Sequence, residues 1–227
     1  MQYGTAFTFQ FKDQDWIKKF VIAAVLFLIP IVGQIFLLGW GFEITRRVIK
    51  EDPTPLPEWN NFGKFFVDGL KGMVIGFVYA LPIILVQACN QGIAFGLPEV
   101  MDYDTANTIS LVVLSCFGCL SFLYGIFMAF FVPAALGNFV ANDSLGAGFR
   151  FGEIFGLLKA APAAYVIVFL TAIISPFIGL LGVMFCIIGL LVTMPYVMMV
   201  NQYMQGEAYR VAKLEQAAVN TGINDGL

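Results

Sequence analysis

The chain of 227 residues is 59% hydrophobic and only 12% charged, with a mean hydropathy of +0.85. A soluble domain carries about 25% charged residues, so this composition excludes a water-soluble globule and a disordered chain. The net charge of −3 and the pI of about 4.9 exclude a nucleic-acid binder, which needs a basic surface. The composition therefore predicts an all-α integral membrane protein.

The first apolar stretch, residues 20–42, is long enough to cross a bilayer once, but Pro30 and Gly33 interrupt it. One interpretation is a re-entrant helical hairpin bent at this point, and the other is a kinked fifth span. The hairpin leaves all 12 basic residues on one side of the membrane, which the positive-inside rule favours. The charged segment before residue 20 is not expected to be a signal peptide.

Two segments are predicted to be amphipathic helices at the membrane surface. In residues 59–71 and again in 149–159, aromatic or aliphatic side chains recur at steps of three and four, opposite a polar face. Either they contact lipid or a partner protein, or they pack on the bundle as cytoplasmic connectors. The candidate contact residues are Trp59, Phe62, Phe65, Phe66, Phe151 and Phe155.

Four full membrane spans are predicted from the segments that lack charged residues. They cover residues 72–97, 107–140, 160–176 and 180–205, and the last two are separated at the Ser175–Gly179 segment. The loop 97–107 contains acidic residues but no Lys or Arg, so we expect it outside the cell and the C-terminus in the cytoplasm.

Polar residues inside the predicted span 72–97 form one helical face near its outer end. Gln87, Asn90 and Gln91 follow the i, i+3, i+4 pattern. Such amides hydrogen-bond to neighbouring helices in a membrane, and the alternative is that they line a small polar pocket.

Small residues are spaced for close helix packing in two spans. Ser121, Gly125 and Ala129 form a stripe down the predicted span 107–140, and Gly72 and Gly76 lie at the start of the span 72–97. Small residues let helix backbones approach closely, within one chain or between subunits.

The chain offers little for catalysis or metal binding. It has no histidine, which removes the most common proton shuttle and metal ligand. The four cysteines lie in apolar runs and are predicted to be small buried hydrophobes, and the Cys116–Cys119 spacing lacks the second pair that a metal site needs. Glu58 and Asp68 are predicted to be solvated charges. We therefore expect no catalytic residue, cofactor or metal.

Several motifs occur in an order that resembles a family of bacterial and archaeal multi-pass membrane proteins of unknown function. The resemblance extends over nearly the whole chain and implies an integral membrane protein, without assigning functional residues. The motifs are Gly39-Trp40-Gly41-Phe42, Arg46-Arg47, Leu56-Pro57-Glu58-Trp59, Asp68-Gly69-Leu70-Lys71, Pro133-Ala134-Ala135-Leu136, Gly146-Ala147-Gly148-Phe149-Arg150-Phe151 and Gln205-Gly206-Glu207-Ala208-Tyr209-Arg210.

Together these features predict a non-enzymatic, multi-pass protein of the cell membrane that acts by helix packing. It would be an accessory or scaffold subunit of a membrane complex or a homo-oligomer, with lipids and other membrane proteins as its partners. The alternative is a transporter or a lipid-handling protein for an uncharged or amphipathic small molecule.

Overall fold

The computed structural model describes residues 3–183 and 186–221, and every regular element within these ranges is a helix. This confirms the all-α class. In chain order the elements are α1 (Tyr3–Ala6), a 3-10 turn (Phe9–Lys12), α2 (Trp16–Phe27), α3 (Val32–Ile49), α4 (Phe62–Val100), α5 (Tyr103–Asn142), a second 3-10 turn (Leu145–Phe149), α6 (Phe151–Ala160), α7 (Pro162–Val183) and α8 (Cys186–Asn220).

Three helices are long and apolar enough to cross a bilayer, namely Phe62–Val100, Tyr103–Asn142 and Pro162–Leu180. They mark the chain as a membrane protein and contain three of the four predicted spans. The fourth predicted span, 180–205, is not among them. Residues 184 and 185 of that span lie outside the described part of the chain, so the fourth span stays a prediction.

The first apolar stretch is divided between α2 and α3 by a sharp turn. Ile31 adopts a left-handed φ of 64°, a conformation that is strained for a β-branched residue. Gly33 follows, and a Cβ atom at this position would collide with the carbonyl oxygen of Leu26. The break at Pro30–Gly33 that the sequence predicts is therefore present as a turn between two helices.

Contacts with Trp59 show the direction of α2 relative to α3. The indole of Trp59 donates a hydrogen bond of 3.1 Å to the carbonyl oxygen of Lys19 on α2, and its ring stacks on Trp40 of α3 at 4.6 Å between centroids. Lys19 and Trp40 lie on opposite sides of the turn in sequence, so the chain doubles back as a hairpin. How deeply this hairpin enters the membrane stays a prediction.

Helix α3 lies in the centre of the bundle, between α4 and α8. A Cβ atom on Gly39 would collide with the carbonyl oxygen of Phe65 on α4, and one on Gly69 would collide with that of Ile35. On the other side, Gly206 of α8 lies close to the carbonyl oxygen of Thr45. These glycines let the backbones touch, and they surround three fully buried side chains of α3: Trp40, Phe42 and Ile44.

Two predicted boundaries differ from the structure. The segment 59–71 is not a separate helix, because α4 begins at Phe62 and continues without interruption to Val100. The predicted break at Ser175–Gly179 is also wrong, since α7 continues through Pro176 to Val183. Proline is tolerated inside membrane helices because neighbouring helices and side chains compensate for the lost hydrogen bond. The second amphipathic segment does coincide with a separate helix, α6.

The outer parts of α4 and α5 project beyond the rest of the bundle. We call residues 80–125 the distal hairpin. Each of the two helices spans about 60 Å at about 1.5 Å per residue, and none of the most apolar window of α5 is buried within the protein. At the base of the distal hairpin, the hydroxyl of Tyr124 donates a 2.8 Å hydrogen bond to the carbonyl oxygen of Tyr79. Such an apolar surface suits a hydrocarbon environment.

Candidate functional site

A buried arginine joins three helices at the end of the bundle opposite the distal hairpin. Arg46 of α3 is only 4% exposed. Its guanidinium donates hydrogen bonds to Glu43 one turn earlier, to Asp68 of α4 at 3.0 Å and to Asp143 after α5 at 2.6 Å. Asp143 follows the last turn of α5 in a left-handed conformation with φ of 50°. One side chain thus fixes the relative positions of α3, α4 and α5.

The charges around Arg46 balance. Glu43 also accepts a 2.9 Å hydrogen bond from Lys64 and lies 3.8 Å from Arg47. Burial acts to raise the pKa of Glu43, but the hydrogen bond from Lys64 and the charge of Arg46 outweigh it and lower the pKa below its ordinary value of 4.5. We call these residues the Arg46 network. Since every carboxylate in it contacts a cation, it is suited to holding helices together.

A second buried cation anchors the proline-rich loop between α3 and α4. Lys19 is 2% exposed, and its ammonium contacts Asp13 and Glu58, each at 2.6 Å. It also donates to the carbonyl oxygen of Leu56 at 3.3 Å. The indole of Trp40 donates to the neighbouring carbonyl of Pro57 at 3.1 Å. The loop is thereby bound to both α2 and α3.

A polar cavity of about 450 Å³ lies between the N-terminal segment, the proline-rich loop and α8. Arg210 forms ion pairs with Glu51 and Glu207 on its wall. The hydrogen bond to Glu207, followed by the contact with Glu51, raises the pKa of Arg210 above its ordinary value. The charged residues of the lining are Lys12, Asp13, Glu51, Asp52, Glu207 and Arg210.

A second cavity, of about 490 Å³, opens between the α2–α3 hairpin, α4 and α8. None of the described residues that line it is charged. Its polar lining residues are Gln34, Asn201 and Gln202, and its apolar lining residues are Phe27, Leu37, Leu38, Met73, Met194, Pro195, Val197 and Met198. We call it the apolar cavity.

The predicted polar face of the span 72–97 does not line either cavity. Gln87 and Gln91 are exposed on the distal hairpin and make no hydrogen bond to any described residue. Asn90 is half-buried, and its buried Oδ1 atom has no hydrogen-bond partner. The three amides share a side of the helix, on which Gln87 and Gln91 are exposed and Asn90 is turned partly into the protein.

The small-residue stripe of α5 is open at Gly125 in the described part of the structure. At Gly125 an added Cβ would meet open space, and the buried hydroxyl of Ser121 has no hydrogen-bond partner. Ala129 is half-buried. Of the two glycines at the start of the span 72–97, Gly72 packs against the ring of Phe42. A Cβ atom added at Gly76 would have no described atom within 4 Å.

The predicted aromatic contact residues fall into two groups. Phe65 is 2% exposed, and Trp59 and Phe66 are partly buried against Trp40 and Phe36, so these three belong to the core. The side chains that remain exposed are Phe62 at 43%, Phe151 at 54% and Phe155 at 42%.

Some functional expectations need correction. Asp68, predicted to be solvated, is 5% exposed and bound to Arg46. Cys89, Cys116 and Cys119, predicted to be buried, are free and exposed on the distal hairpin. The side chain of Cys186 lies outside the described part of the structure. Among the described residues, no group of three or more His, Cys, Asp or Glu is arranged to hold a metal ion.

Sequence reasoning missed the partners of Arg46. Asp68 was expected to be solvated, and no partner for Arg46 was predicted at Asp143, which lies 97 residues further along the chain. A charged residue within an otherwise apolar helix was the available signal, since a buried cation requires carboxylate partners.

Comparisons with known proteins give one family for the chain. No curated protein and no solved structure matches the chain. A family described as "Protein of unknown function (DUF4013)" matches residues 22–204, a range that includes the second half of α2, all of α3, the Arg46 network, the distal hairpin and more than half of α8. The chain therefore belongs to the DUF4013 family of proteins of unknown function.

Proposed function

We propose that this protein is a non-enzymatic membrane subunit that assembles with other membrane proteins or with copies of itself through the distal hairpin. The supporting observation is that this hairpin carries groups that fit a helix partner but have none among the described residues. They are the exposed amides of Gln87 and Gln91 and the open small-residue face at Gly125, with Asn90 and Ser121 half-buried beside them.

The physical argument concerns polar groups in hydrocarbon. An amide or hydroxyl without a hydrogen bond in an apolar environment is unfavourable, and a hydrogen bond between membrane helices contributes about 0.6 kcal/mol on average. A partner helix against α4 would satisfy the exposed amides of Gln87 and Gln91. The open space at Gly125 would let that helix approach closely.

The Lys and Arg residues lie at one end of the bundle and the acidic loop at the other, which supports an orientation in the cell membrane. The Arg46 network and Arg210 lie at one end, whereas Glu99, Asp102 and the rest of the acidic loop lie at the tip of the distal hairpin. Under the positive-inside rule, the basic end faces the cytoplasm and the loop 97–107 faces outward.

Native mass spectrometry of the full-length protein in a mild detergent tests the proposal. The expected result is a stable homo-oligomer or a complex with a co-purified membrane protein. The exposed Cys116 and Cys119 add a second measurement, because mild oxidation should link two copies, or a copy and its partner, through the distal hairpin. A strictly monomeric species without cross-links would contradict the proposal.

A matched pair of variants locates the interface. Gly125→Leu fills the small-residue face and should reduce the assembled fraction. Gly96→Leu is the control, because Gly96 has equally open surroundings and lies on the opposite side of α4 from Gln87. Equal effects of the two variants would exclude the proposed face.

The second candidate function is lipid handling or transport of an uncharged or amphipathic molecule. The apolar cavity favours it, because cavities of about 300–1,000 Å³ with a few polar groups are typical of small-molecule sites. The polar residues first considered for this role, Gln87, Asn90 and Gln91, do not contribute to that cavity.

A further inference from the structure

We infer that the apolar cavity binds an uncharged acyl lipid whose head carries ester or hydroxyl oxygens, such as a diacylglycerol. This inference rests on the second candidate function and is independent of assembly through the distal hairpin. It is supported by the amides on one wall of the cavity, by its methionine-rich apolar lining and by its uncharged character.

Two amides on α8 each have their oxygen beside a hydroxyl group of a neighbouring helix. The Thr45 hydroxyl lies 2.7 Å from Oε1 of Gln202. The Ser175 hydroxyl lies 3.0 Å from Oδ1 of Asn201 and 2.6 Å from the carbonyl oxygen of Thr171. Neither amide NH2 group donates to any described residue. Gln202 is 8% exposed as a residue, but its NH2 nitrogen is not one of the buried atoms without a hydrogen-bond partner, so this donor is accessible beside the cavity that Gln202 lines.

The rest of the lining selects the chemistry of the occupant. Met73, Met194 and Met198 supply flexible, polarisable side chains that adapt to an alkyl chain of variable shape. No Lys or Arg lines the cavity to pair with a phosphate or a carboxylate. Two NH2 donors beside an apolar space therefore match ester carbonyls or hydroxyls joined to acyl chains.

The cavity can be reached from the lipid phase. Met73 is 41% exposed and Gln34 is also exposed at the surface. The amide of Gln34 donates to the carbonyl oxygen of Phe27 at 3.3 Å, which places it at the rim between α2 and α3. A lipid could thus enter sideways from the bilayer with its head towards Asn201 and Gln202.

Photo-crosslinking of the full-length protein in detergent tests this site. The probe is 1,2-dioleoylglycerol with a diazirine in one acyl chain, and the adducts are mapped by mass spectrometry. We expect adducts on the α4 and α8 peptides that contain Met73 and Met194–Met198. Unlabelled dioleoylglycerol should compete, whereas oleate and dioleoylphosphatidylglycerol should compete weakly. Equal competition by either charged lipid would overturn the assignment of an uncharged head.

Variants separate a built site from ordinary surrounding lipid. Met73→Trp narrows the entrance and should reduce labelling of the cavity, whereas Met101→Trp is the control because Met101 has a similar exposure of 44% at the far end of α4. Asn201→Leu should weaken competition by dioleoylglycerol about fivefold, the effect of one lost hydrogen bond. If Met73→Trp leaves the labelling unchanged and Asn201→Leu leaves the competition unchanged, the adducts come from surrounding lipid alone. That result would overturn the inference.

The same samples distinguish this inference from the assembly proposal. Met73 and Asn201 lie away from the distal hairpin, so their variants should leave the oligomer mass unchanged. Gly125→Leu should leave lipid labelling of the cavity unchanged. Loss of one property without the other identifies which proposal fails.

Discussion

Arg46 and Asp143 are 97 positions apart in sequence, and their side chains meet at 2.6 Å. The contact joins the last turn of α3 to the end of α5, while the same guanidinium binds Asp68 of α4. Because the arginine is buried, the network sets the register of three helices with a few charged groups. Buried ion pairs fix geometry more reliably than they add stability, since desolvation offsets much of their attraction.

Removing the Arg46 side chain should therefore lower the stability of the folded protein strongly. Arg46→Leu leaves Glu43, Asp68 and Asp143 without their shared cation, and breaking a buried pair in this way costs about 3–5 kcal/mol. Thermal unfolding of the purified protein in detergent measures the loss. The control is Arg150→Leu, which removes an exposed pair with Glu153 and should cost at most about 1 kcal/mol. Similar melting temperatures for the two variants would contradict a structural role for the network.

The same network predicts how stability depends on pH. The pKa of Glu43 is lower in the folded protein than its ordinary value of 4.5. The resulting stabilisation is present above that value and is lost as the pH falls through the folded pKa. Melting temperatures measured between pH 7 and pH 3 should decline below about 4.5, and Glu43→Gln should make this decline shallower. An identical acid profile for wild type and variant would rule out this contribution.

The sequence predicted the apolar helices and the turn at Pro30–Gly33 because their signals are local. Absence of charge over a helix length and helix-breaking residues need no knowledge of neighbours. The burial of Asp68 and of Lys19 could not be predicted in this way, because it depends on partners that are distant in sequence. Both are charged residues beside apolar helices, and only the tertiary contacts with Arg46 and Glu58 show that they are buried.

The candidate sites were harder to predict for the same reason. Gln87, Asn90 and Gln91 do share one face, as their spacing indicates, but spacing cannot show whether that face meets a cavity or the lipid. The apolar cavity is formed by residues from four helices, and its amides, Asn201 and Gln202, differ from other span amides only in what surrounds them.

The crossing of α3 and α4 gives a further prediction about packing. Gly39→Ala should destabilise the protein by about 1–3 kcal/mol, because the added methyl collides with the backbone of Phe65 rather than with a movable side chain. Gly76→Ala is the matched control on α4, since an added Cβ there meets open space, and it should be neutral or gain up to about 1 kcal/mol in helix propensity. Chemical unfolding of both variants in detergent provides the comparison.

The α2–α3 hairpin predicts that Lys18 and Asn61 lie on the same side of the membrane, because Trp59 contacts both Lys19 and Trp40. Single cysteines at Lys18, Asn61 and Asp104, all exposed, can be placed in a chain whose four native cysteines are replaced by alanine. A maleimide that cannot cross membranes should label Asp104→Cys in intact cells, and should label the other two only after the membrane is opened. Labelling of Lys18→Cys, but not of Asn61→Cys, in intact cells would show that residues 20–42 cross the bilayer.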